Sequence, residues 1–202
     1  MQAFARLWRI INGLACHFYQ GRLEGDVSVS GMAPASASLP ELARVVGSVF
    51  QNPRTQFFHT DTTGELAFQL ENQNMPREQM RRRLDQVVTE LGLESLMERS
   101  IFALSGGEKQ QIACGSVYAS MPQVVVLDEP SSNLDLEGIR KLRGLLETMK
   151  ASGVTILVSE HRLWYLHGLA DRYLLLESGK LCGDLTPEQM MALDPQTRQA
   201  LG

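Results

Sequence analysis

The chain has 202 residues, 44% hydrophobic and 21% charged, enough for one α/β domain or one domain with a small appended lobe. With 19 Lys and Arg against 23 Asp and Glu, the net charge is −4, so the basic stripe of a nucleic-acid binder is not expected. No stretch approaches the roughly 20 apolar residues that cross a bilayer, and Cys16, Cys114 and Cys182 are an odd, scattered set that suits neither a disulfide framework nor a zinc site.

Met1–Leu14 lacks the apolar core and small-residue cleavage site of a secretory signal. Its helical apolar spacing starts at Leu7 and stops at Gly13-Leu14. Asp26-Val-Ser-Val-Ser30 alternates polar and apolar and meets Gly31, which predicts a short strand. Val45–Phe50 is a second strand candidate, running into the turn signal Gln51-Asn-Pro53. From Thr62 to Met121 the pattern is helical. Pro76 suits a first turn, Met80, Leu84, Val87, Val88 and Leu91 fall on one face, and Gly92 ends it. Arg81-Arg-Arg83 lies off most of that face and reads as a solvated edge.

Val124–Leu127 is a fully apolar run typical of a central parallel strand. A helix over about Leu136–Lys150, a strand over Val154–Ser159 and another helix follow. Tyr173–Leu176 and Lys180–Cys182 form a hairpin across Ser178-Gly179, with one helix near Pro187–Leu193 after it. Strands alternating with helices predict a parallel sheet with crossovers, and the helix-only stretch of about residues 60–121 reads as a lobe inserted into it.

Two runs carry chemistry. Val124-Val-Val-Leu-Asp-Glu-Pro130 ends an apolar strand in two adjacent carboxylates, at the sheet edge where α/β proteins bind ligands. There Asp128 and Glu129 can divide labour, one holding Mg²⁺ and the other orienting or deprotonating a water. Leu104-Ser-Gly-Gly-Glu-Lys-Gln110 opens a helix. Ser105 is a good N-cap, and Gly106 and Gly107 leave backbone N–H groups facing outward, an anion site that phosphate fits. A plain capped helix start does not account for two glycines that each cost about 1 kcal/mol relative to Ala.

These runs resemble the signature motif and Walker B strand of ABC ATPases. Val49-Phe-Gln-Asn-Pro53 resembles the Q-loop, Ser131-Ser-Asn-Leu-Asp135 the D-loop, and Ser159-Glu-His161 the switch region, all in the family's order. A finer resemblance is to the ATPases of energy-coupling-factor (ECF) importers, which take up vitamins and metal ions. It is carried by Ile11-Asn-Gly-Leu14, His17-Phe-Tyr19, Gly21-x-Leu-x-Gly25, Gln51-Asn-Pro-x-x-Gln-Phe-Phe58, Glu65-Leu-Ala-Phe68 and Ser159-Glu-His-Arg-Leu163, over about Leu7 to Pro187.

The resemblance implies a P-loop NTPase-like α/β fold, the ABC ATPase fold, with ATP and Mg²⁺ as ligands. Asp128 would bind Mg²⁺ through water and Gln51 would help bind the metal and sense the γ-phosphate. Glu129 would act as general base or orient the water, and His161 would contact the γ-phosphate. Ser105, Gly106 and Gly107 would contact nucleotide held by an opposite domain, and Asp135 would communicate across that dimer. The implied partners are a second ABC ATPase domain, a transmembrane coupling subunit and a substrate-binding membrane subunit, with no nucleic acid. The implied place is the cytoplasmic face of the membrane. A DNA-acting ABC ATPase is disfavoured, because the interval from Gln51 to Ser105 is too short for a coiled coil.

The sequence contains no Gly-x-x-x-x-Gly-Lys-[Ser/Thr]; its one Gly-Lys pair, Gly179-Lys180, is followed by Leu181. With Asn12-Gly-Leu14 as anchor, the loop's lysine would fall near Phe4 and its hydroxyl residue near Ala5, and neither can serve. Three hydrogen bonds to charged phosphate oxygens are worth about 4–9 kcal/mol, roughly 10³- to 10⁶-fold in affinity. The 202 residues by themselves are therefore expected to bind Mg-ATP poorly and not to turn it over. Because Gln51, Asp128, Glu129 and His161 all persist, an N-terminally incomplete record of an ordinary domain is the favoured expectation. The alternative is a nucleotide-incompetent partner that lends only its signature motif. The missing loop-bearing strand is expected to deprive Val124–Leu127 of a neighbour.

Overall fold

A computed structural model describes residues 2–19 and 23–201, with the side chains of Gln2, Ala3, Ala5, Gln199 and Ala200 set aside. Gly21, part of the ECF-like pattern, lies outside the described residues. In chain order the elements are α1 (Gln2–Ile11), α2 (Leu14–His17), α3 (Leu39–Val45), β1 (Val46–Val49), α4 (Thr62–Asn72), α5 (Arg77–Leu91), α6 (Gly106–Ala119), β2 (Val124–Asp128), α7 (Leu136–Ala151), β3 (Thr155–Ser159), β4 (Tyr173–Glu177), β5 (Lys180–Leu185), α8 (Pro187–Ala192) and α9 (Pro195–Leu201). They divide into two compact units, residues 44–159 and residues 1–43 with 160–202.

The larger unit is built on a parallel sheet in the order β1-β2-β3. Val49 pairs with Leu127, and Asp128 with Ser159, so all three strands end at the same edge. Val125, Val126 and Leu127 are fully buried, as a central parallel strand requires. The expected loss of a neighbour for this strand is corrected here: β2 is flanked on both sides, by β1 and β3.

Helix α6 is the core element of this unit, with every residue from Ile112 to Ala119 buried. It packs against α4, α5, α7 and β1. The approach to β1 is close enough to dictate a residue: a Cβ on Gly47 would lie 2.3 Å from Val117 Cγ1. Helix α5 presents Val87 and Leu91 to the core and stops at Gly92, whose left-handed φ of 65° closes the helix through its N–H to Thr89 O. The arginine run is not uniformly solvated. Arg81 and Arg82 are exposed, but the Arg83 guanidinium donates to Tyr118 O and Ala119 O and lies 4.8 Å over the Tyr118 ring. It caps the last carbonyls of α6, a demand that residue spacing on α5 alone does not reveal.

The smaller unit holds α1, α2 and the β4–β5 hairpin. Ser178 and Gly179 both take positive φ (50° and 81°), the requirement of a two-residue hairpin turn. Two expectations are corrected in or beside this unit. Asp26–Ser30 is not a strand; among the described residues it makes one bridge, Val29 to Met32, across a tight turn at Ser30-Gly31. The helix expected after β3 is a short 3₁₀ turn at Leu163–Leu166. Helices α3 and α9 carry no expectation from the sequence pattern. No helix among the described residues is long and apolar enough to cross a membrane.

Candidate functional site

The carboxyl edge of the sheet gathers the first cluster. The chain leaves β1 at Val49 and turns at once, so Gln51 stands beside the end of β2. Its Nε2 donates to Glu129 Oε2 at 2.9 Å, across 78 residues of sequence. Asp128 is the last residue of β2 and stands opposite Ser159 of β3. The Glu129 N–H donates to Ser159 O at 2.9 Å, which carries the sheet pairing one residue beyond the strand. Glu129 itself takes φ 43°, an uncommon conformation for a glutamate and a disfavoured one before Pro130. Such strain costs on the order of 1–3 kcal/mol and persists where the surroundings enforce it. It turns the Glu129 side chain onto the Gln51 side of the edge.

The second cluster is the start of α6. Ser105 is the N-cap, its Oγ accepting from Glu108 N at 3.2 Å while Glu108 Oε2 accepts from Ser105 N at 2.7 Å. This reciprocal capping box uses the Ser105 and Glu108 N–H groups. The Gly106 and Gly107 N–H groups belong to the first turn, where the helix's own ladder supplies no acceptor. Neither glycine is needed for room inside this chain. A Cβ on Gly106 would come no closer than 3.7 Å to Asn133 O, and one on Gly107 3.8 Å from Gly138 Cα. Both are ordinary contacts, so close packing against these neighbours does not account for the two glycines.

The same glycines place α6 against the start of α7. Asp135 is the N-cap of α7 and accepts from Gly138 N at 2.8 Å, so the D-loop carboxylate holds a helix end next to the signature run. His161 lies two residues past β3, in the smaller unit. Its ring is exposed, and its N–H donates to Glu160 Oε1 at 3.1 Å. Thus Gln51, Asp128 and Glu129 form one cluster, Ser105, Gly106, Gly107 and Asp135 form another, and His161 stands on the strand exit.

Sequence reasoning passed over several residues that build these clusters. Glu108 is held at about pKa 2, first by the Ser105 backbone N–H and then by the Arg99 guanidinium. The Ser-x-x-Glu spacing of a capping box was the signal for it. Lys109 is 5% exposed and donates to Leu104 O; burial, then the Arg54 charge, lowers its pKa. Glu65, 2% exposed, accepts from the Phe58 and His59 N–H groups at 2.9 Å each, shaping the chain that follows Gln51. Beside that chain is a cavity of about 310 Å³ lined by Arg54, Phe57, His59, Ile101, Phe102 and Lys109.

A parallel sheet ending in Gln51, Asp128 and Glu129, with a capped glycine turn opening its central helix, is the arrangement of the ABC ATPase fold. The comparisons agree. A family model described as ABC transporter matches residues 7–132. A putative ABC transporter ATP-binding protein of Treponema denticola is 50% identical over 179 residues, 89% of this chain and 37% of that protein. One from Methanosarcina mazei is 36% identical over 197 residues, 97% of this chain and 33% of that protein. The chain therefore spans about a third of the length of these curated relatives. Among solved structures, cbiO1 from Clostridium perfringens, part of the ABC transporter complex cbiONQ, superposes with a TM-score of 0.83 at 25% identity, covering 94% of this chain and 74% of that one. The chain belongs to the ABC transporter family.

Proposed function

We propose that the chain works as the ATP-binding and ATP-hydrolysing part of an ECF-type importer that energises uptake of a vitamin or a metal ion. The observation that carries this reading is the Gln51–Glu129 hydrogen bond at the edge where all three parallel strands end. The likeness to cbiO1 supports the ECF assignment.

The donor set suits Mg²⁺. That ion keeps several waters and takes one or two protein carboxylates plus substrate phosphates, so Asp128, with Gln51 beside it, is sufficient. When bound, Mg²⁺ would neutralise charge developing on the phosphates. Glu129 orients the attacking water or takes its proton, and its strained backbone fixes the direction of the carboxylate. Gln51 reports the γ-phosphate by giving up its bond to Glu129. His161 supplies a further donor to the γ-phosphate.

Ser105, Gly106 and Gly107 present N–H groups to nucleotide held by an opposite ABC domain, and Asp135 couples the two sites. Residues of about 60–121 act as the helical lobe. With the Gln51 loop, they transmit closure of the dimer to a transmembrane coupling subunit, the Phe57–His59 cavity being the docking face. A substrate-binding membrane subunit selects the solute, and the assembly works at the cytoplasmic face of the membrane without nucleic acid. The working site also needs a Gly-x-x-x-x-Gly-Lys-[Ser/Thr] loop, which these 202 residues do not contain.

The test is ATP hydrolysis by this chain carrying a Gly-x-x-x-x-Gly-Lys-[Ser/Thr] loop segment fused ahead of Met1, so that the loop stands in the same domain as Glu129. Glu129→Gln is expected to lower turnover by roughly 10²- to 10⁴-fold with ATP still bound. Undiminished turnover in the variant rejects the assignment.

A further inference from the structure

The signature run is held by a residue that lies outside it. We infer that Arg99 is a positioning residue for nucleotide contact at Ser105-Gly106-Gly107, acting through Glu108. This rests on the nucleotide reading given above.

The geometry is a bridge through one carboxylate. Arg99 Nη1 donates to Glu108 Oε1 at 2.8 Å, and the other oxygen of the same carboxylate accepts from Ser105 N at 2.7 Å. Ser105 Oγ closes the ring by accepting from Glu108 N. A glutamate side chain in a capping box retains rotamer freedom about its long stem. A guanidinium bonded to the second oxygen removes that freedom, and the Ser105 main chain is fixed with it. The low pKa of Glu108 is consistent with both donors acting on the charged form.

Arg99 can serve as an anchor because both polar groups of its own main chain are hydrogen-bonded to Thr62. Its N–H donates to Thr62 Oγ1 at 3.2 Å, and Thr62 N donates back to Arg99 O at 3.0 Å. Thr62 is fully buried and bonds Leu96 O at 2.8 Å. Thr62 also opens α4, the helix whose Glu65 holds Phe58 and His59. The anchor thus joins the chain after Gln51 to the signature run through hydrogen bonds linked by the first turn of α4. An exposed ion pair alone contributes little to stability. At 39% and 27% side-chain exposure this pair is half-open, so its share of fold stability is small and its main effect falls on geometry at Ser105.

The experiment uses the protein assembled with its loop-bearing domain and Mg-ATP as probe. Arg99→Met is expected to raise the ATP concentration for half-maximal turnover roughly three- to tenfold. The same variant speeds amide exchange at Ser105 and leaves the unfolding midpoint in place. Arg99→Lys, which keeps the charge and one donor, recovers most of both. Gly106→Asp serves as the control for the nucleotide reading and is expected to remove ATP-dependent closure.

Half-saturation and Ser105 exchange within twofold of the parent in Arg99→Met overturn the positioning role. Faster exchange with unchanged half-saturation, while Gly106→Asp still abolishes closure, also overturns it, because the clamp then serves the helix and not the nucleotide. A Gly106→Asp protein that closes and turns over normally removes the nucleotide reading, and the role of Arg99 with it.

Discussion

The two clusters of the larger unit are built in opposite ways. At the sheet edge, Gln51 is exposed, Glu129 has a left-handed backbone, and one hydrogen bond joins their side chains across 78 residues of sequence. At the start of α6, a capping box, an ion pair and a buried lysine lock a single geometry, and the residues behind it from Ile112 onward are fully packed. The difference follows from what each has to do. A group that must exchange one partner for another during a cycle needs an alternative within a few kcal/mol, and a single exposed polar contact on a strained residue is suited to that. A set of N–H groups that receives a phosphate gains by being fixed in advance, because no ordering cost remains at binding.

That contrast can be broken from either side, and the largest effect is expected at the junction with β1. Gly47→Val forces a side chain where a Cβ alone would be 2.3 Å from Val117 Cγ1, with Pro122 Cγ at 3.4 Å. The overpacking is expected to cost about 3 kcal/mol, at the upper end of such insertions. It pushes β1 off α6 and carries Gln51, four residues on, away from Glu129. Urea unfolding reads the cost; a midpoint unchanged from the parent contradicts the close approach. Next in size is Arg83→Met at the far end of α6. It removes the guanidinium donor from the Tyr118 and Ala119 carbonyls, of which Tyr118 O keeps the Met121 N–H, and removes the cation over the Tyr118 ring. A loss of about 1–2 kcal/mol is expected. If the signature end is as locked as its bonds indicate, amide exchange near Tyr118 rises while Ser105 keeps its rate.

What the sequence showed and hid follows the same division. Strands β2 and β3, helices α5, α6 and α7, and the hairpin were legible because their residues obey local rules: apolar runs, periodic faces, glycine stops and a two-residue turn. Asp128, Glu129 and the Ser105 run stood out as candidates by an abrupt change from apolar to polar at a strand or helix end, and Gln51 through its likeness to the Q-loop. Long-range demands were not legible. Asp26–Ser30 has strand-like alternation, but pairing needs a partner, and only Met32 was in reach. Arg83 looks like one of three surface arginines until α6 ends beneath it. Arg99 has no local pattern, since its importance comes from Thr62 on one side and Glu108 on the other.

The smallest expected effect is a pH dependence that separates the two clusters. Glu108 has its pKa lowered from the model-compound value of 4.5 to about 2, because the Ser105 N–H and Arg99 favour the carboxylate. A depressed acid stabilises the fold when ionised in both states. That contribution is complete above about pH 4.5 and disappears as pH falls through about 2. Glu108→Gln keeps an acceptor for the capping box but cannot titrate. Between pH 5 and pH 2.5 the parent is expected to lose about 1 kcal/mol more unfolding free energy than the variant, a figure discounted for the partial exposure of the pair. Equal losses in parent and variant mean that the capping box is open in solution. The locked end of α6 would then be no more fixed than the sheet edge, and the contrast between the two clusters would vanish. A larger loss in the parent, confined to that window, places the lock at Glu108 itself.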